Sequence, residues 1–564
     1  MNKARMTRRL CGRDLTRSDV LAFGIGILLA LSLPRPCTAE VKIPGVPDYL
    51  QNDFAGTNDC APVASGDVLG YWDANGYDSL IAGSSDFAAN PAGVTALVDK
   101  LKTYMLWTPF GTQVEWIWVG IVRTATDRGC AFAARNFYTV LWTDIKAEID
   151  AGCPSAFTFY HTRYGSLHTA ACLGYDEPSG ARVVILHDNW YPPSDVHVNF
   201  AECSSLFLTS VRPVVYYVGP SSGGTEDGSL AHPFRTIQKA VDAAYDGVRV
   251  IVLDGTYTGQ GNRDIDFKGK KILLRSQRGP TNCVLNCEGT SSAPHRAFLF
   301  HTGEGSSSIV EGFTMKNGYA ADGGAIWCSG ASPAIRSCVI IGNTAQRGGG
   351  VFCTDASPSL DRCTIAGNSA STGGGLCSIG SGTPSATSSI FWSNTGGEIS
   401  PSNLDVKYCD VAGGYPGTGS IAADPLLASI GAGDCHLMSM FGRWSPQAGG
   451  TGRWVYDDVT SPCIDAGDPL ADFSKETQPN GGRLELGAFG NSPEASKSGT
   501  WWDLRGDVND DCAVNVLDLL FVRNRLSQDA GTGSNWKADV NGDGHINVLD
   551  LITIRNQLNT RCSL

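Results

Sequence analysis

The spacing of apolar residues divides the chain into three zones with different periods. From Cys60 to Trp72 the positions Val63, Leu69 and Trp72 form a stripe of helical period, which ends before Asn75-Gly76. A second helix runs from Ile145 and stops at Gly152. Three short runs then read as strands: Ser155 to Tyr160, Ser166 to Asp176, and Arg182 to Leu186. The middle zone opens on an amphipathic helix, Thr236 to Ala244, suited to covering exposed strand edges at one end of a stack. Short strand-like runs follow at Val248 to Leu253, Gly255 to Tyr257 and Lys271 to Arg275. The last zone predicts two helices, Leu519 to Leu526 and Leu551 to Leu558.

The middle zone repeats. Asn317, Asn343, Asn368 and Asn394 are 26, 25 and 26 residues apart, and each follows a short apolar run. Glycine clusters recur at Gly323-Gly324, Gly348 to Gly350 and Gly373 to Gly375, and Cys328, Cys353 and Cys377 recur in the same phase. A coil of about 25 residues cannot bury its own core, whereas stacked coils can. The asparagines are expected to stack as a hydrogen-bonded ladder and the cysteines to be core residues. The pattern resembles the right-handed parallel β-helix of pectate-lyase-like proteins. Pro233 to Ala240 and Ser461 to Asp468 with Leu486 to Phe489 resemble its two ends. That resemblance implies a polysaccharide-binding or spacer role. No cluster of carboxylates with Arg or Lys, which sugar cleavage requires, is legible in the repeats.

The C-terminal helices are each preceded by a twelve-residue loop with oxygen side chains at positions 1, 3, 5, 9 and 12. The first has Asp507, Asn509, Asp511, Asn515 and Asp518; the second has Asp539, Asn541, Asp543, Asn547 and Asp550. Calcium takes six to eight hard oxygen ligands, and this spacing wraps a short chain round one ion. Two loops imply two calcium ions. The duplicated loop-helix unit resembles the type I dockerin, a small all-α calcium-binding module that docks on a cohesin-like protein or cell-surface receptor. At position 6 the first loop carries Cys512 in place of the usual glycine, which weakens a turn that favours positive φ. Cys512 and Cys562 are candidates for a clasp across this module.

The N-terminus carries Lys3, Arg5, Arg8 and Arg9, an uncharged run from Val20 to Leu33, and then Cys37-Thr-Ala39. This is a secretory signal cleaved after Ala39, and it places the protein outside the cell or on its surface. No later segment is long and apolar enough for a transmembrane anchor. A net charge of −13 argues against nucleic acid as a partner. The signal removes two of 19 cysteines, and an odd 17 leaves at least one thiol free, which Cys60 is expected to be.

Cys60 stands at a helix N-terminus, where the helix dipole favours the thiolate. Downstream, His168 begins a strand and Asp188 ends another, so one sheet can hold the two side by side. A helix cysteine, a facing histidine and a carboxylate behind it form a thiol-protease arrangement. The segment Gln51, Cys60-Ala-Pro62, Glu148 to Pro154, His168 with Gly174-Tyr-Asp176, and Asp188 resembles the papain-like clan, in particular the double-glycine-leader, bacteriocin-processing peptidases. The resemblance implies an α+β fold with Cys60 as nucleophile and His168 as general base and acid. It further implies Asp188 or Asn189 as the orienting group, and Gln51, or Asn58 in its place, as oxyanion donor.

The expected order is a signal peptide at 1–39, a papain-like cysteine peptidase-like domain at 40–212, a parallel β-helix at 213–497, a linker at 498–502 and a dockerin at 503–564. Three functions compete. One is a tethered peptidase acting on peptides. The second is a polysaccharide-binding or polysaccharide-degrading surface protein whose first domain is inactive. The third is a structural adhesin.

Overall fold

The computed structural model describes residues 40–54, 58–190, 195–220, 224–401, 404–447, 452–498, 508, 514–528, 538–540 and 545–558. The expected signal peptide, the 498–502 linker beyond residue 498, Cys512 and Cys562 lie outside them.

Residues 40–213 form helices on both faces of a mainly antiparallel sheet. Its strands are β1 (Val41–Lys42), β2 (Phe132–Phe137), β3 (Ser155–Tyr160), β4 (Leu167–Asp176), β5 (Val183–His187), β6 (Val196–Asn199) and β7 (Ser204–Pro213). They lie in the order β2-β7-β3-β4-β5-β6, with β1 beside β4. On one face pack α1 (Cys60–Ala74), α2 (Pro91–Tyr104) and α3 (Ile117–Asp127), burying Val63, Leu69, Leu97, Leu101 and Ile121. On the other lies α4 (Trp142–Asp150), over Phe157, Phe159, Ala170 and Leu186. Helix α1 is buried on nearly every side, so the stripe expected from its sequence marks only part of its contact surface.

The middle zone is a three-faced coil. From β8 (Val215–Val218) the chain passes through α5 (Ile237–Ala243) and then through β9 (Arg249–Val252), β10 (Gly255–Tyr257) and β11 (Ile265–Asp266). It then visits the same three parallel sheets in the same order, coil after coil. Sheet one begins at β8 and β9, sheet two at β10 and sheet three at β11. Inward residues such as Phe298, Phe300, Ile326, Ile335, Ile340 and Leu360 fuse into one continuous core. This is a parallel β-helix, with α5 placing Ile237, Ala240 and Val241 in the same core at its start.

Two repeat positions are shifted from the sequence reading. Asn343 Nδ2 donates to Asn368 Oδ1 at 2.9 Å, and Asn368 Nδ2 donates to Asn394 Oδ1 at 2.9 Å. Asn317 is not in this ladder; Gly318 takes the rung, its N–H donating to Asn343 Oδ1 at 2.8 Å. Cys353 pairs in register with Cys328, but Cys377 pairs with Phe352 and faces outward, Ser378 taking the inner place. One residue gained or lost in a turn inverts the facing of the strand that follows it. All the described cysteines are free thiols, so counting parity does not single out Cys60.

Residues 424–498 fold back over the outside of sheet two, where Cys435, Ala488 and Phe489 cover Val339, Ile341 and Ala366. At the other end the α+β domain joins the β-helix without a spacer. Ala131 N–H donates to Gly247 O at 3.0 Å, and Val214 N–H donates to Ala131 O at 2.9 Å. The Arg249 guanidinium lies over the Tyr77 ring at 3.3 Å and donates to Gly76 O. The C-terminal zone contains α6 (Val516–Arg523) and α7 (Val548–Gln557), each beginning three residues earlier than the apolar pattern predicts. Among the described residues no helix is long and apolar enough to cross a membrane.

Candidate functional sites

Cys60 opens α1, as the helical stripe predicts, and its thiol is held by the backbone N–H and hydroxyl of Thr169 on β4. Thr169 directly follows His168. No hydrogen bond joins Cys60 to His168, whose Nε2 instead lies 2.8 Å from the backbone carbonyl of Asp188. Aromatic rings enclose the imidazole: Tyr164 stacks on it at 4.4 Å, and Trp190 meets it edge-on at 4.9 Å. Burial pushes the Cys60 thiol up, against the pull of its Thr169 and Ala61 bonds. The helix-terminus argument predicted the reverse; burial costs the charged thiolate its hydration. Burial likewise pushes His168 down, offset by the Asp188 carbonyl and charge.

The carboxylate of Asp188 does not touch the ring. Oδ2 accepts from the Tyr164 hydroxyl at 3.2 Å and Oδ1 from the Trp190 N–H at 3.2 Å. Asn189 is left-handed at φ 62 and points elsewhere, its amide donating to Asp67 Oδ2 at 2.6 Å and Tyr49 O at 2.8 Å. Asn58 spends its amide on Pro109 O at 2.7 Å. Gln51 differs: its backbone N–H binds Asn189 O, while its side-chain Nε2 is buried and has no partner.

A second site was not legible in the sequence. A cavity of about 740 Å³ lies beside α5 and the first coils, with Lys239, Asp242, Arg263, Asp264 and His295 on its wall. His295 Nδ1 is 2.6 Å from Asp264 Oδ2, which leaves Nε2 as the free ring nitrogen. From there the outer face of sheet three carries Asp266, Leu299, Trp327, Phe352 and Cys377 in register on successive coils. Arg296 sits 5.6 Å from the Trp327 ring and Arg347 4.7 Å from the Phe352 ring. Asp322 holds Arg347 in a fork at 2.7 and 2.8 Å. Rungs are ~4.8 Å apart, so this row spans roughly 20 Å, with Phe352 and Cys377 at its far end buried. Charged residues thus gather on the first coils, ahead of the repeats to which the sequence reading applied, while within the repeats Asp322 pairs with Arg347. The coil closes sequence separations of 25 to 31 residues, which no local motif records.

In the C-terminal zone Asn515 and Asn547 cap their helices, each side-chain oxygen accepting from a first-turn N–H. Asp518 and Asp550 complete the capping boxes and are fully buried. Val508 N–H donates to Asp518 Oδ1 at 2.9 Å, so positions 2 and 12 of the first loop meet. Asp539, at position 1 of the second loop, is also buried. Chain closure round buried carboxylates fits a cation, since buried anions need compensating charge. Asp507, Asn509, Asp511, Asn541 and Asp543 lie outside the described residues. With them absent from view, no three His, Cys, Asp or Glu side chains group as a metal site among the described residues.

Comparison with known proteins reaches parts of the chain. Residues 505–559 match the family described as Dockerin type I domain, which agrees with the dockerin and calcium loops expected from the sequence. Residues 402–467 match the family described as Disaggregatase related. No curated protein matches the chain. A solved structure titled "Crystal structure of pectate lyase Pel9A" is 15% identical and covers 49% of this chain and 96% of its own, at a TM-score of 0.18. Superposition that weak carries no argument, and the β-helix rests on its own strand register.

Proposed function

We propose that this is an exported polysaccharide-binding protein, tethered through its dockerin to a cohesin on another protein or on the cell surface. The observation that carries the reading is the strip on sheet three. The half-buried Trp327 indole with Arg296 beside it, on the coils next to a cavity holding a His–Asp pair, offers a stacking surface and hydroxyl partners to a sugar chain. The tether is supported by two matched apolar sets on the dockerin helices. Val516, Leu517 and Leu520 on α6 and Val548, Leu549 and Ile552 on α7 are all exposed. Two calcium ions, one per loop, would hold those helices in place.

The test is retention in polysaccharide-containing native gels. Wild type should be retarded by at least one polymer, and Trp327→Ala with Arg296→Ala should run free, while Cys60→Ala changes nothing. No retardation by pectic, xylan or β-glucan polymers would sink the reading.

A second reading, a papain-like cysteine peptidase, is favoured by one observation: the buried, unpartnered amide of Gln51. An oxyanion donor before substrate arrives would look like this. Cys60 would attack the peptide carbonyl, His168 would carry the proton, and Asp188 would hold the ring through its backbone. Peptide cleavage abolished by Cys60→Ala and weakened by Gln51→Ala would establish it.

A further inference from the structure

On sheet two, far from Cys60 and off the sheet-three strip, a cavity of about 420 Å³ opens between the first coils and the hairpin Arg443–Pro446 with Gly452–Val455. The side chains that define it are Asp254, Thr256, Arg278, Asn282, Trp444 and Glu494. That volume lies in the range of small-molecule sites.

The polar groups are fixed before any ligand arrives. Arg278 Nε donates to Asp254 Oδ2 at 2.5 Å. Glu494 accepts from the Thr281 hydroxyl at 2.7 Å and lies 3.3 Å from His436 Nε2. His436 is itself buried, stacked on Phe489 at 3.6 Å and held by Asp434 at 2.6 Å. Arg443, at the base of the hairpin, joins Asp434 to Asp457 at 3.2 and 3.0 Å. A single chain of bonds thus runs from the hairpin to the Glu494 carboxylate.

The indole is fixed as well. Trp444 meets Trp454 edge-on at 5.5 Å. Gly452 lies against its ring, and a Cβ there would fall 2.3 Å from Trp444 Cε2. Only glycine at 452 lets the indole lie flat across the neighbouring strand.

We infer that this cavity binds one neutral sugar residue of a glycan, its C–H face on Trp444 and its hydroxyls on Glu494, Asn282 and Arg278. The charge pattern selects the class. Two carboxylates repel a uronate or phosphate, and the Arg278 guanidinium repels an ammonium. Adjacent fixed donors and acceptors suit vicinal hydroxyls, which both give and take hydrogen bonds. Trp444 supplies the apolar plane. This site is separate from the sheet-three strip and does not depend on it.

Tryptophan fluorescence titration of the full chain tests it, with cellohexaose and xylohexaose as neutral probes and hexagalacturonate as the acidic one. At least one neutral probe should bind. Trp444→Ala should weaken it tenfold or more, Glu494→Gln about tenfold, and Trp444→Phe, which keeps the plane, threefold or less. Trp327→Ala should leave this affinity unchanged. Hydrogen exchange in residues 434–455 establishes that the hairpin stays folded in each variant. The inference is overturned if no neutral probe binds, if only the acidic probe binds, or if a folded Trp444→Ala binds as wild type.

Discussion

His168 Nε2 sits 2.8 Å from the carbonyl oxygen of Asp188, and the carboxylate of the same residue faces away, toward Tyr164 and Trp190. The ring is therefore oriented by backbone, which any residue at 188 would supply. Cys60 meanwhile bonds to Thr169, and burial holds its thiol above the ordinary range. Burial thus works against the thiolate, the nucleophilic form.

The first prediction follows for thiol chemistry. At pH 7 Cys60 should alkylate no faster than Cys203, a comparably half-buried thiol pushed up by burial to about 11. Asp188→Asn should change the Cys60 rate by less than about threefold, because the carbonyl remains. Mass-spectrometric rate measurement decides it. Cys60 labelled tenfold faster than Cys203, and slowed by His168→Ala, would mean an activated thiolate and favour the peptidase.

The asparagine ladder gives a stability contrast between two residues that look alike in sequence. Asn368 is buried, accepts from Asn343 through both its backbone and side-chain nitrogens, and donates to Asn394 Oδ1 and Ile340 O. Asn368→Ala orphans several of these groups and should cost about 3 kcal/mol. Asn317 is exposed and off the ladder, reaching only Asn286 Oδ1 at 2.9 Å with its amide. Asn317→Ala should cost under about 1 kcal/mol. Urea unfolding of both variants measures the difference, and equal costs would discard the ladder as a stabilising element.

Fusion of the first domain to the β-helix rests on Gly247. Its φ is +86, and a Cβ would lie 2.6 Å from Ala131 N. Both a left-handed backbone and a backbone clash oppose any side chain there. Gly247→Val should separate a single calorimetric transition of residues 40–498 into two, with the α+β part melting first. An unchanged single transition would mean the contact couples nothing.

What the sequence makes legible follows from how far apart the cooperating residues lie. Strands β3 and β4 are read from short runs of no more than ten residues, and the capping oxygens of Asn515 and Asn547 from a spacing of three. The coil repeat is visible because stacking imposes one period on many residues. Its exceptions, Gly318 for Asn317 and Ser378 for Cys377, depend on single-residue differences in turns, which composition does not register. The Asp264–His295 pair and the Trp444 cavity join segments 31 and some 160 to 190 residues apart, so only the folded chain brings them together. Cys60 and His168 fail in another way: each occupies the element foreseen for it, but the hydrogen bonds go to backbone neighbours.

Protonation of the lobe at 424–498, and of Asp410 which Cys463 of that lobe contacts, has an unusual sign. Burial raises Glu476 to about 7 and Asp410 to about 6. Burial alone would lower His436, yet its bonds to Asp434 and Glu494 raise it overall. All three have folded pKa values above their unfolded ones. Their stabilisation is complete below the unfolded values and is lost as pH rises through the folded values. Asp434, which burial would raise but His436 and Arg443 bring below its usual range, opposes this only in stronger acid. Amides of Cys463 and Leu486, corrected for intrinsic rates, should thus exchange more slowly at pH 5 than at pH 8. Greater protection at pH 8 would contradict the assignment.

Calcium should govern the docking module alone. Asp518 and Asp550 are buried in capping boxes, and Asp539 is nearly so, which gathers carboxylates where the two loops close. The β-helix core consists of apolar residues and neutral ladders and has no such gathering. Chelation should therefore abolish helix signal from residues 503–564 while the β signal persists; its loss would show that calcium supports the coil as well. Calorimetric titration of the stripped protein should count two ions. The loop that begins at Asp507 should be the weaker, because Cys512 stands where the other loop has Gly544. Cys512→Gly should tighten that site several-fold and leave the second unchanged, and a variant that tightens neither would remove the φ argument.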